Sequence, residues 1–239
     1  MSGHSKWAGI KHQKAINDAR RGNLFTKLAN NISVASKQGG GNVEFNPALR
    51  MAVEKARQAN MPKDNIEKAI KRGTGELGGA IVEELRYEAF GPGNVAMIIE
   101  ALTDNRNRTN SDIRTIVTKQ GGRMAEGGGV LFQFNQRGVI RLDLPSEKSD
   151  ALEEVAIESG AEDYVLGEGF AVVYTTVPEL HAIKDAIVAA GFVVNSASVE
   201  WVAKNPSEVS DSDLEKVAKL LDALDENDDV TNVYTSLAE

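Results

Sequence analysis

The chain has 239 residues, 41% of them hydrophobic and 26% charged, with no cysteine. That composition fits a globular protein long enough for two or three domains, and it excludes disulfides, thiolate metal sites and a cysteine nucleophile. The net charge of −8 is unevenly spread: 14 Lys+Arg against 5 Asp+Glu over residues 1–75, 6 against 8 over 76–136, 4 against 12 over 137–203, and 3 against 10 over 204–239. A field divided in this way attracts polyanions to the front of the chain and repels them from the back. No apolar run approaches the ~20 residues that cross a bilayer. The start lacks the apolar core of a signal peptide. It is basic and poor in acids, as a transit peptide is, but it runs unbroken into helical sequence, so the expected compartment is the cytoplasm.

The front third reads as helix. Leu24, Leu28 and Ile32 recur four apart, with Phe25, Ala29 and Ala35 widening the stripe; Gly22 leaves open one long helix from about Lys11 or two abutting pieces. "KQGGGN" ends it. Asn46 as cap and Pro47 at the first helical position start the next helix, whose apolar face is Leu49, Val53 and Ala56. Pro62 opens a third helix with Ile66, Ala69 and Ile70, and Gly73 is its expected stop. From about Leu85 the period changes to that of strands: "LRYEAF" and "NVAMIIEALT", joined by "GPGN". A helix follows through Ile113, Ile116 and Val117 to Gly121–Gly122, and then a strand near "VLFQF". "GVIRLDL" opens a series of strand, helix (about Glu147–Ser159), strands "DYVLG" and "FAVVYTT", helix Pro178–Ala190 and strand "FVVNSASVEWV". That βαββαβ order is ferredoxin-like. A helix through Leu214, Val217, Leu221 and Leu224 and a strand "VTNVYTS" close the chain. Either this last pair returns to complete the ββαβ piece before Arg137, which makes 137–203 an insertion, or three domains follow one another. The expected organisation is α+β: a basic helical domain (1–75), an α+β middle domain (76–136 with 204–239) and an acidic ferredoxin-like domain (137–203).

Several resemblances to catalytic or binding motifs dissolve on inspection. "FGPGNVA" has dinucleotide-loop glycines, but strand rather than helix follows them, so Pro92–Gly93 reads as a turn. "EGFAVVYT" matches part of an RNA-recognition strand at Gly169, Phe170, Ala171 and Val173. Glu168 stands where a cation belongs, and Val172 and Thr175 replace stacking rings, so core packing is expected. "DALDENDD" lacks the glycine and final glutamate of a calcium loop and reads as a solvated helix end. No nucleophile elbow, P-loop or metalloprotease pair is present. The chain is therefore read as non-enzymatic, without metal, cofactor or small-molecule substrate.

The binding signal lies at the front, in "GHSKWAGIKHQKAINDARRGNLFTKL". Lys6, Lys11, Lys14, Arg20, Arg21 and Lys27 are opposed there only by Asp18, and cations at that density neutralise phosphates and release counterions. Trp7 either stacks on an unpaired base or packs on the helical domain. His4 and His12, with no third metal ligand in sight, are read as solvent-facing or phosphate-contacting. Lys63, Lys71 and Arg72 extend the cationic set. Arg106 and Arg108 precede a helix expected to be capped by Thr109, Asn110 or Ser111. They can hold a second phosphate at its N-terminus, or pair with Asp104 and Asp112 and merely fix the loop.

The same stretch, together with "NPALRMAVEKARQANMPKDNIEKAIKRGTGE", "YEAFGPGNVAMIIEALTDNRNRT" and "KQGGRMAEGGGVLFQF", closely resembles the YebC family over nearly the whole chain. That family is generally labelled as probable transcriptional regulators and includes mitochondrial translational activators of cytochrome oxidase subunit I. "GGGVLFQF", where many relatives carry a further aromatic, and Ser2 in place of alanine are small departures. The resemblance implies a three-domain cytoplasmic α+β protein, the third domain inserted in the second, with no catalytic activity. It implies either a DNA-binding transcriptional regulator or a translation factor bound to ribosomal or transfer RNA and the ribosome. A scaffold whose acidic domains meet a basic protein partner is the expectation of a different class.

Overall fold

A computed structural model describes residues 21–78 and 82–237, without the side chains of residues 21–23 and 146. The described chain forms two compact units, residues 21–130 with 211–233 and residues 131–210 with 234–237. It is mixed helix and sheet, with a helical front followed by two antiparallel sheets.

In the first unit, helix α1 (Arg21–Gly39) packs its Leu24, Phe25, Leu28, Ile32 and Ala35 stripe against α2 (Pro47–Gln58) and α3 (Lys63–Gly73). The 3.6-residue period places Leu49, Val53 and Ala56 of α2 and Ile66 and Ala69 of α3 on the inner faces. Asn46 caps α2 as expected, its Oδ1 accepting from the Leu49 amide at 3.0 Å. Pro62 takes the cap position of α3 rather than its first turn. The helix ends at Gly73, as expected. A Cβ there would lie 2.1 Å from the Ser33 carbonyl oxygen, so glycine is needed for the close approach of α3 to α1.

Strands β1 (Glu83–Phe90) and β2 (Ala96–Thr103) form a hairpin in the register Glu83↔Thr103 to Phe90↔Ala96. Helix α4 (Arg106–Lys119) returns the chain to β3 (Arg123–Met124), which pairs with β1. Near the end of the chain, α7 (Asp211–Asp225) leads to β8 (Val230–Thr235), which lies beside β2, so the sheet order is β3-β1-β2-β8. β2 is buried along nearly its whole length. Val34 of α1 packs with Val82 and Leu102, joining the helices to the sheet. The strand expected near "VLFQF" is not a separate strand. Residues 131–133 make a 3-10 turn, and Phe134 begins β4.

The second unit runs β4 (Phe134–Asp143), α5 (Ser149–Glu158), β5 (Asp163–Gly167), β6 (Phe170–Thr175), α6 (Leu180–Ala189) and β7 (Val194–Ala203). Its sheet order β5-β6-β4-β7, with all three pairs antiparallel, is that of a ferredoxin-like fold. Ile140, Leu142, Ala171 and Val173 form one core with the two helices, while Val139, Phe170, Val172 and Tyr174 alternate to the other face and are also buried. The partial RNA-recognition strand is thus core, with no ring free to stack. Among the described residues no helix is long and apolar enough to cross a membrane.

Candidate nucleic-acid interface

His4, Lys6, Trp7, Lys11, His12, Lys14 and Arg20 lie outside the described residues, and Arg21 is described only by its backbone at the start of α1. The other expected contacts divide by what they touch. Lys27, Arg72 and Arg108 are engaged by the protein itself. The Lys27 ammonium donates to the Asp225 carbonyl at 2.7 Å and carboxylate at 3.0 Å, tying α1 to the end of α7. Arg72 donates from Nε to the Ser33 hydroxyl at 3.1 Å and from Nη2 to the Asn30 carboxamide oxygen. Asn30 in turn donates to the Leu102 carbonyl at 3.2 Å.

Arg108 donates to both carboxylate oxygens of Asp229, at 3.0 and 3.1 Å, and to Asp104 at 3.3 Å. Asp229 is buried and also accepts from the Thr109 hydroxyl at 2.7 Å and the Thr103 hydroxyl at 3.2 Å. The Asp229 hydrogen bond, and secondly its charge, raise Arg108 above its ordinary value, so Arg108 is a fixed cation. The partner expected at Asp112 is therefore supplied instead by Asp229, from the other end of the chain. "DALDENDD" is not simply a solvated helix end, since Asp225 and Asp229 are both bound.

The start of α4 also differs from expectation. Asn105 is its cap, with Oδ1 accepting from the Arg108 amide at 3.1 Å. Thr109 therefore falls inside the helix, where its hydroxyl reaches Asp229. Around these groups lies a cleft of about 560 Å³ lined by Asn30, Arg72, Arg108 and the carboxylates Asp104, Asp112, Glu226, Asp228 and Asp229. Five acids against two arginines make its interior unfavourable for phosphate. Among the described residues the Tyr87 hydroxyl is buried without a hydrogen-bond partner, and desolvation raises its pKa.

Lys63, Lys71 and Arg106 are exposed. Lys63 approaches Glu67 at 3.6 Å in a solvent-facing pair that contributes little. Arg50, Lys55, Arg57 and Lys68 on the outer faces of α2 and α3 are exposed as well, at the polar positions of the two amphipathic helices. Together α2, α3 and the loop between them carry seven Lys/Arg against three Asp/Glu over residues 47–73.

Two family models match the chain. One is described as the TACO1/YebC protein N-terminal domain, over residues 5–76, and the other as the TACO1/YebC second and third domain, over residues 82–237. Relatives named "Probable transcriptional regulatory protein" include those of Dictyoglomus turgidum, 47% identical over 99% of this chain and 95% of that protein, and Treponema denticola, 48% identical over 99% and 96%. The crystal structure of a conserved hypothetical protein, Aq1575 from Aquifex aeolicus, superposes with a TM-score of 0.80 at 43% identity, covering 92% of this chain and 91% of that one.

Proposed function

The chain belongs to the TACO1/YebC family, and we propose that it is a non-enzymatic, nucleic-acid-binding regulator of gene expression that makes its contacts through the basic helical front. The observation that carries this reading is the separation of charge: exposed cations on α2 and α3 in a chain whose net charge is −8. The names of the relatives support a role in transcription. A translation role on ribosomal or transfer RNA is the second reading, since the exposed cations of α2 and α3 suit the phosphates of structured RNA as well as those of a duplex.

A three-domain division at residues 1–75, 76–136 with 204–239, and 137–203 accords with this reading. It is supported by β8 lying beside β2 and by the boundary between the two family models. Cytoplasmic residence follows from the same reading.

The test is anisotropy of the full chain with labelled duplex DNA and structured RNA across a salt series, with gradient sedimentation of cell extract. About five phosphate contacts give a slope of log K against log salt near −4 on duplex. A duplex preference of roughly 10³ over random competitor without ribosome association establishes the transcriptional reading; co-sedimentation with ribosomal particles establishes the other. Absence of binding to either nucleic acid at low salt defeats the proposal.

A further inference from the structure

The turn between α1 and α2 displays an aromatic ring on a fixed backbone. Phe45 is 82% exposed, more than Phe132 at 66%, the other strongly exposed phenylalanine among the described residues. It occupies the position before the α2 cap, where an apolar residue ordinarily packs on the fourth helical residue. That residue here is Arg50, and its guanidinium is turned onto the loop, donating to the carbonyls of Val43 at 3.2 Å and Glu44 at 2.7 Å. Phe45 therefore has no apolar partner of that kind.

The turn beneath it is rigid. Asn46, 3% exposed, donates to the carbonyls of Ala35 and Gly40, both at 2.8 Å, while capping α2. The Glu44 amide donates to the Asn42 side chain at 2.8 Å and the Asn46 amide to the Asn42 carbonyl at 3.0 Å. A large apolar side chain left in water on an ordered turn forgoes burial it could have had, and its presentation involves little further ordering on binding. Glu44 is its neighbour in sequence. The helix that follows carries exposed Lys55 and Arg57.

We propose that Phe45 is a stacking platform for an unpaired RNA base, with the cations of α2 holding the flanking phosphates. This rests on the proposed nucleic-acid function and deepens it. An aromatic ring stacks on the face of any splayed-out base, whereas in a duplex those faces are occupied by neighbouring bases. RNA recognition by proteins accordingly centres on loops, bulges and ends. The charge around the turn selects this occupant over an acidic or neutral protein surface.

The experiment uses the full-length protein, its Phe45→Ala and Phe45→Trp variants, and an RNA hairpin with 2-aminopurine in its loop, compared with a blunt RNA duplex of the same stem. Wild type is expected to bind the hairpin and quench its fluorophore. Phe45→Ala should weaken hairpin binding by about ten-fold or more, with duplex affinity, salt slope and melting temperature unchanged. Phe45→Trp should restore both affinity and quenching. Equal hairpin affinity for wild type and Phe45→Ala overturns the stacking role while leaving the broader function standing, whereas failure of wild type to bind either RNA or duplex DNA defeats that function itself. A change of oligomeric state in Phe45→Ala by analytical ultracentrifugation, without a change in hairpin affinity, assigns the ring to contact between copies of the chain and likewise overturns the proposal.

Discussion

Tyr87 is a residue whose environment opposes its chemistry. Its hydroxyl is out of reach of water and has no hydrogen-bond partner among the described residues, so the group carries a desolvation cost that no bond there returns. Phenylalanine keeps the ring and removes the cost, so Tyr87→Phe should stabilise the protein by about 1 kcal/mol at neutral pH. Burial raises the folded-state pKa above the ordinary value of 10.0. Above that value the unfolded chain has released the phenolic proton while the folded chain still holds it, so stability declines as the pH rises past 10.0. Urea midpoints at neutral and strongly alkaline pH should fall less steeply in Tyr87→Phe than in wild type; equal slopes would mean that the hydroxyl is solvated.

At the scale of elements, the helical front is held at two junctions of unlike chemistry. The first is Asn46, whose side chain joins the end of α1 to the start of α2. Asn46→Ala removes a cap and leaves two carbonyls short of a donor, for an expected loss of about 3 kcal/mol, read as a lowered thermal midpoint. The second is Gly73, where α3 meets α1 backbone to backbone. A Cβ there would meet the Ser33 carbonyl oxygen at 2.1 Å, and backbone cannot swing aside as a side chain can. Gly73→Ala should lower stability by about 2 kcal/mol, despite alanine's higher helix propensity. A stabilised variant would show that the two helices can separate without loss.

Across the whole first unit, Asp229 connects segments far apart in sequence: Thr103 at the end of β2, Thr109 and Arg108 of α4, and the approach to β8. Asp229→Ala strips the acceptor from all three side chains and should cost about 2 kcal/mol, discounted because the Arg108 side chain is half-exposed. Arg106 and Arg108, adjacent in the sequence pattern, should separate in the same assays. Arg108→Ala should lower the melting temperature by loosening the Asp229 cluster, whereas Arg106→Ala should leave melting unchanged and weaken nucleic-acid affinity a few-fold if the start of α4 touches a phosphate. Equal behaviour of the two variants in melting would remove the distinction. The steep division of charge makes salt the sensitive variable throughout, since screening acts most strongly on exposed cations such as Lys63 and Lys71.

The features legible from the residues alone were local or additive. The stripes of α1, α2 and α3, the Asn46–Pro47 helix start, the βαββαβ order and the separation of charge all depend on neighbours within a few residues or on sums over long ones. The family resemblance was legible in the same way, as motifs in order along the chain. Which cations remain free depends on packing in three dimensions. Arg108 and Arg106 have the same local pattern, yet one faces a carboxylate 121 residues away and the other faces solvent. β3 is two residues long, too short to show an alternation, and exists because β1 offers it an edge. Phe45 has the composition of a core residue and stands in water because the helix position that would have covered it is an arginine folded onto the loop backbone. Periodicity reports which face an element turns inward; which groups then meet across that face depends on how the elements pack.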